Sequence, residues 1–142
     1  MTASDFEQTR LRRNLLKLSD NPDTNLDYVS SFTATLQLAD VGSPVKVTID
    51  YVPGRHIVAP SVLTAYLESI ESYQWDSLEH TASTLLNDFN NELVCRWVRI
   101  TLALKTKQSK AQGIQTRCIL IEDSQPGWNN EALISRIISD VS

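Results

Sequence analysis

An α+β fold is predicted, with an antiparallel four-stranded sheet (ββααββ), two helices layered on one face, and a further helix at each end. Three observations carry this. Apolar residues alternate with polar ones over 28–38 and 45–51 and again over 96–105 and 114–121, the period of a strand buried on one side. They recur at helical spacing over 61–73 and 76–93. Finally, strands are grouped with strands and helices with helices, the pattern of an antiparallel sheet with segregated helices. With 142 residues the chain reads as a single domain, 1–142, with its core over about 27–121, large enough to bury most of its apolar surface without disulfides or metal.

Ser4-Asp5-Phe6-Glu7 has the spacing of a capping box. Phe6, Leu11, Leu15, Leu16 and Leu18 follow, so a helix is expected from about Asp5 to about Leu18, with Arg10, Arg12, Arg13 and Lys17 on a solvated face near its C-terminus, where the dipole favours cations. The segment 19–25, polar and containing Pro22, is a loop. Tyr28, Ser30, Phe32, Ala34, Leu36 and Leu38 form the first strand, and Val45, Val47, Ile49 and Tyr51 the second. Gly42 and Pro44 lie in the turn between them. Pro53-Gly54 ends that strand.

Val62, Leu63, Tyr66, Leu67, Ile70 and Tyr73 mark a helix beginning near Ser61, and Leu78, Ala82, Leu85, Leu86, Phe89 and Leu93 a second beginning near Asp76. Arg96 to Lys105 gives a third strand, 107–113 a hairpin loop, and 114–121 a fourth strand. After Gln125-Pro126-Gly127, the stripe of Leu133, Ile134, Ile137, Ile138 and Val141 marks a terminal helix.

Hydrophobic residues make up 42% and charged residues 21% of the chain, ordinary globular values. No apolar run reaches the roughly 20 residues that cross a bilayer. The N-terminal residues lack the basic and apolar regions of a signal peptide, so a cytoplasmic protein with no membrane contact is expected. Cys95 and Cys118 fall in apparent strands and read as buried reduced thiols. A net charge of −4 argues against direct nucleic-acid binding. Open sheet edges are commonly closed by a second subunit, so an oligomer is expected.

Neither His56 nor His80 has a Cys or His at ligand spacing, so no metal site is expected. Only four glycines are present, with no phosphate-cradling loop. Asp76-Ser77-Leu78-Glu79 reads as a capping box, Asp76 the cap and Glu79 at the third helical position. On spacing alone Glu79 is structural.

The stretch Thr48-Ile49-Asp50-Tyr51-Val52-Pro53, followed by Ile57-Val58, Leu63, Tyr66-Leu67, Ser69, Glu79, Leu86 and Asp88, resembles the tunnelling-fold (T-fold) superfamily. Within it, the chain is most similar to the 7-cyano-7-deazaguanine reductases of queuosine biosynthesis and more distantly similar to GTP cyclohydrolase I. The resemblance covers roughly 45–104. It implies rings of subunits with active sites between them, and a Glu, at the position of Glu79, that anchors a guanine-like or pterin-like ring. A carboxylate suits that role because its two oxygens accept two parallel N–H donors. The resemblance also puts Ser61 and Leu78 at the ligand.

The chain departs from the reductase pattern where their covalent chemistry lies. The Cys-Pro-x-Thr-Gly-Gln-Pro-Asp segment is here Leu38-Ala39-Asp40-Val41-Gly42-Ser43-Pro44-Val45, with no Cys and with Asp40 at best a displaced proton donor. The Glu-Ser-x-Ser-x-Lys-Leu segment that binds substrate and NADPH is 59–65, keeping Ser61. Leu78 replaces a His, and Arg-Gly-Gly is reduced to Gln112-Gly113-Ile114. Nitrile reduction by the chain alone and a resident cofactor are therefore not expected; NADPH enters only if the family activity survives. Three readings follow: a binding or scaffolding paralogue holding a heterocycle at Glu79, with a possible hetero-partner completing the site; an enzyme of other chemistry using Asp40, Asp50, His56 or His80 as acid or base; or a structural ring in which Glu79 is only a cap.

Overall fold

The computed structural model describes residues 3–105 and 116–137. Along the chain run α1 (Ala3–Asn14), β1 (Leu18–Asp20), β2 (Ser30–Leu36), β3 (Val45–Val52), β4 (His56–Val58), α2 (Pro60–Glu71), α3 (Leu78–Leu93), β5 (Trp97–Lys105), β6 (Thr116–Ser124) and α4 (Glu131–Ile134). The four longer strands form one antiparallel sheet in the order β2-β3-β5-β6.

Register turns the sequence alternation into layers. Phe32, Ile49, Ile100 and Ile121 make one row across the strands, and Ala34, Val47, Leu102 and Ile119 another two residues away. These side chains share the face that packs on α2 and α3 in a single core. Each fully buried residue there contributes roughly 1.5–3 kcal/mol. The Tyr51 ring stacks on Phe32 at 6.4 Å and meets Phe89 of α3 edge-on at 6.0 Å, and Phe89 meets Tyr66 of α2 at 6.2 Å. One aromatic column thus ties sheet to both helices.

Both helices form for readable reasons. Pro60 opens α2 with its φ preset, and Leu63, Tyr66, Leu67 and Ile70 bury one face. Helix α3 buries Leu78, Ala82, Leu85, Leu86, Phe89 and Leu93 and ends at Val94, held left-handed at φ 50°. Gly54 lies so close to that turn that a Cβ would stand 3.2 Å from the Val94 carbonyl. The end of α3 therefore lies beside β4, which leads straight into α2, and the two helices run antiparallel.

Four expectations change. Helix α1 stops at Asn14, where Leu15 and Leu16 make tighter bonds back to Arg12 and Arg13. Leu16 then enters the core and Leu18 starts a strand. That strand, β1, pairs with β4 through Leu18↔Val58 and Asp20↔His56, a second small sheet absent from the sequence reading. Buried Asn21 fixes the turn after it by donating to the Gly54 carbonyl at 2.7 Å and accepting from Tyr28 at 2.6 Å. The fourth strand extends to Ser124. Last, the thiols differ from each other: Cys95 precedes β5 and is buried, but Cys118 is exposed, because Ile119 and Ile121 take the core-facing positions of β6. The loop 107–113, Gln112-Gly113-Ile114, and the helical positions Ile138 and Val141 lie outside the described residues. No helix of the described residues is long and apolar enough to cross a membrane.

Candidate functional site

The candidate residues divide between the two ends of the α2–α3 pair. Asp40 is exposed in the β2–β3 turn, at the end where Gln37 donates its amide to Glu71 in the last turn of α2. Glu79 and His80 lie at that same end, in the first turn of α3. Ser61, in the first turn of α2, is at the other end, as is His56, which lines a cavity of about 490 Å³ with Gly54, Val94 and Arg96. A helix of 12 residues spans about 18 Å, so Ser61 and Glu79 do not converge within one subunit.

Glu79 is not the cap-box partner that its spacing predicts. Ser77, not Asp76, is the N-cap, accepting the His80 amide at 3.0 Å, so Glu79 occupies the second helical position. Its carboxylate faces β6 instead, where Arg117 Nη2 donates to Oε1 and to Oε2, each at 2.7 Å. The two side chains are 64% and 42% exposed. A bond from its own amide, then Arg117, holds Glu79 below the usual carboxylate range. A solvent-exposed carboxylate is thus present at the end of the sheet, with both oxygens engaged by Arg117.

The other candidates are placed less openly. Leu78 is buried in the core and turns away from solvent. Asp50 is buried at mid-sheet on the face opposite α2 and α3. There it accepts from Ser31 and lies in a row with Arg99 and Glu122, across all four strands. Arg99 donates to Glu122 at 3.0 Å and stacks over Trp97. His80 lies edge-on to Trp75 and 3.8 Å from Asp76. The segment 59–65 carries no cation, and Thr64 donates to its own helix at Pro60.

Two features escaped the sequence reading. Arg117 is one; nothing local links it to a residue 38 positions away. The other corrects the solvated-face reading of α1. Arg12 is only 6% exposed, and its Nε and Nη2 donate to Asp88 at 2.8 and 3.3 Å, while Arg13 Nε donates at 2.8 Å and Tyr66 at 2.6 Å. Burial works against the Arg12 charge, but Asp88 outweighs it and raises the guanidinium above its ordinary value. Burial, reinforced by Asp88, drives the Tyr66 phenol well above its own. The cluster floors an open groove of about 800 Å³ walled by Tyr73, Trp75 and His80. Cys95 offers no nucleophile, since burial pushes its thiol up to about 12. Among the described residues, no group of three or more His, Cys, Asp or Glu is placed to hold a metal ion.

Comparison with models of known protein families finds no match to this chain, and no curated protein matches it.

Proposed function

We propose that this chain is a T-fold subunit that assembles with copies of itself and holds a guanine-like or pterin-like heterocycle at Glu79, at a subunit boundary. One observation carries the reading: the Glu79 carboxylate is exposed, charged and not consumed by a helix cap. Three others support it. The sheet runs two strands, a helix pair and two strands in the order that the resemblance implies. Strands β2 and β6 each pair on one side only among the described residues, and such edges invite a neighbouring strand. Ser61 and Glu79 lie at opposite ends of the helix pair, so a site that includes both needs a second subunit.

The chemistry at this site is binding. The ligand's two ring-edge N–H groups donate to the two Glu79 oxygens, a charge-assisted contact about twice as strong as a neutral one. Neither thiol lies in the 38–45 segment where the resemblance puts the nucleophile, and burial pushes the Cys95 thiol up to about 12; covalent nitrile reduction is no part of this reading. Calorimetric titration with guanine and with a pterin tests the reading, and micromolar binding, about −8 kcal/mol, lost in Glu79→Gln is expected. A folded protein that binds neither compound refutes it. Turnover of a bound heterocycle would instead favour an enzyme using Asp40 or His80, the acid–base groups at the Glu79 end.

The hold of Arg117 Nη2 on both Glu79 oxygens favours one further reading, a structural subunit in which that pair only fastens α3 to β6. Unchanged assembly together with absent ligand binding supports it.

A further inference from the structure

The groove beneath α1 holds an unbalanced charge. Among the described residues, Arg12 and Arg13 share one carboxylate, Asp88, which lies 2.8 Å from each Nε. Two guanidiniums thus face one anion, and one positive charge is left over. Tyr66 donates to the same carboxylate but stays a neutral phenol at ordinary pH, so it supplies no balance. The excess sits deep: the Arg12 and Asp88 side chains are 8% and 1% exposed, where solvent and salt screen charge poorly. Donors remain to receive a counter-ion. Arg12 spends Nε and Nη2 on Asp88 and Thr9. Its Nη1 opens to the groove, since no buried side-chain nitrogen among the described residues is left without a partner. Arg13 reaches Asp88 through Nε, which leaves its two terminal nitrogens at the groove.

The walls set the shape of that counter-ion. Trp75 is pinned by the bond from its Nε1 to the Ile70 carbonyl at 2.9 Å and stands edge-on to Tyr73 and to His80. These rings flank about 800 Å³ of open groove, within the range of small-molecule sites. Asp5 and Asp76 lie on the same groove and penalise a dianion, whereas a single negative charge matches the single excess. We infer that the groove binds a small organic acid, a monocarboxylate with a flat aromatic body. Its carboxylate takes the spare N–H groups of Arg12 and Arg13 in charge-assisted bonds, and its ring packs against Tyr73 and Trp75. The site is separate from Glu79. Its α3 residues, His80, Thr84, Asn87 and Asp88, recur at helical spacing on the face turned to α1, while the Glu79 carboxylate faces β6.

The experiment titrates the protein with naphthoate, with naphthamide, which has the same rings without the charge, and with naphthyl phosphate, a dianion at pH 8. Backbone amide shifts give both affinity and location. The wild-type protein is expected to bind naphthoate with a Kd of about 1 mM or tighter and naphthamide about tenfold more weakly, with shifts centred on Tyr73, Trp75, Thr84 and Asn87. Arg13→Gln removes the excess charge but keeps the buried Arg12–Asp88 pair, and the partly exposed Arg13 side chain is lost at little cost to stability. It should weaken naphthoate by about tenfold, the worth of one charge-assisted hydrogen bond. Arg10→Gln is the control, since Arg10 pairs with Glu7 on the exposed side of α1; it should leave the affinity within about twofold. Absent naphthoate binding, equal affinity for naphthamide, shifts centred elsewhere, or an unchanged affinity in folded Arg13→Gln overturns the inference. A preference for naphthyl phosphate overturns it as well.

Discussion

Removing the Asp88 carboxylate is the most demanding test of how the helices are held. Its side chain is 1% exposed and receives Arg12, Arg13 and Tyr66. In Asp88→Ala the Arg12 guanidinium, itself 8% exposed, is left buried without its counter-charge, and the Tyr66 hydroxyl loses its acceptor. Breaking a buried pair from one side costs about 3–5 kcal/mol, because the surviving charge keeps its desolvation penalty. For a domain of this size about 2–4 °C is lost per kcal/mol, so a drop of roughly 10 °C in melting temperature is expected. Arg13→Ala is the control: that side chain is 27% exposed, and its loss costs about 1 kcal/mol or less. Urea unfolding at neutral pH measures both. An Asp88→Ala stability within about 1 kcal/mol of wild type, at unchanged m-value, refutes the claim that this ion cluster clamps α1 to α2 and α3.

Because Tyr66 ionises well above its ordinary 10.0, the stability it contributes is complete below pH 10 and is lost as pH climbs toward its folded value. Tyr66→Phe should flatten that alkaline decline, and an unaltered pH profile contradicts it. At the acid end, Glu79 is depressed below 4.5; its contribution is present above that pH and fades as pH falls further, a fading that Glu79→Gln removes from an acid titration. Val94, β-branched and left-handed at φ 50°, carries strain of about 1–2 kcal/mol. Val94→Gly should therefore raise the melting temperature by about 2–4 °C after the entropy of glycine is subtracted. A thiol reagent at pH 8 should modify exposed Cys118 quickly and Cys95 only on unfolding; two fast equivalents in the native protein contradict the burial of Cys95.

Long alternating stretches were legible because a one-sided sheet writes its period into the chain. Val45 to Val52 and Trp97 to Lys105 do so at full length, and α2 and α3 are equally plain in their apolar stripes. Strands β1 and β4 were not, since three residues each leave no period to read. The apolar run Leu15, Leu16, Leu18 looked helical, but each side chain goes somewhere different: Leu15 to solvent, Leu16 to the core, Leu18 to a strand. Asp76 and Ser77 are both good caps, and burial of Leu78 decides between them by fixing where the helix begins. The ion cluster was illegible for another reason. Arg12 and Asp88 stand 76 positions apart, and only the packing of α1 across α2 and α3 brings them together. The same holds for Glu79 and Arg117, whose meeting depends on α3 lying over β6. Cys118 was the readable miss, because the alternation that turns Ile119 and Ile121 inward turns it outward.

Backbone amide shifts of the isotope-labelled protein, recorded as guanine is added, test the site itself most directly. Saturating changes centred on Leu78, Glu79, His80 and Arg117, absent in Glu79→Gln, are the predicted result. Changes confined to the groove beneath α1, or none at all, contradict it.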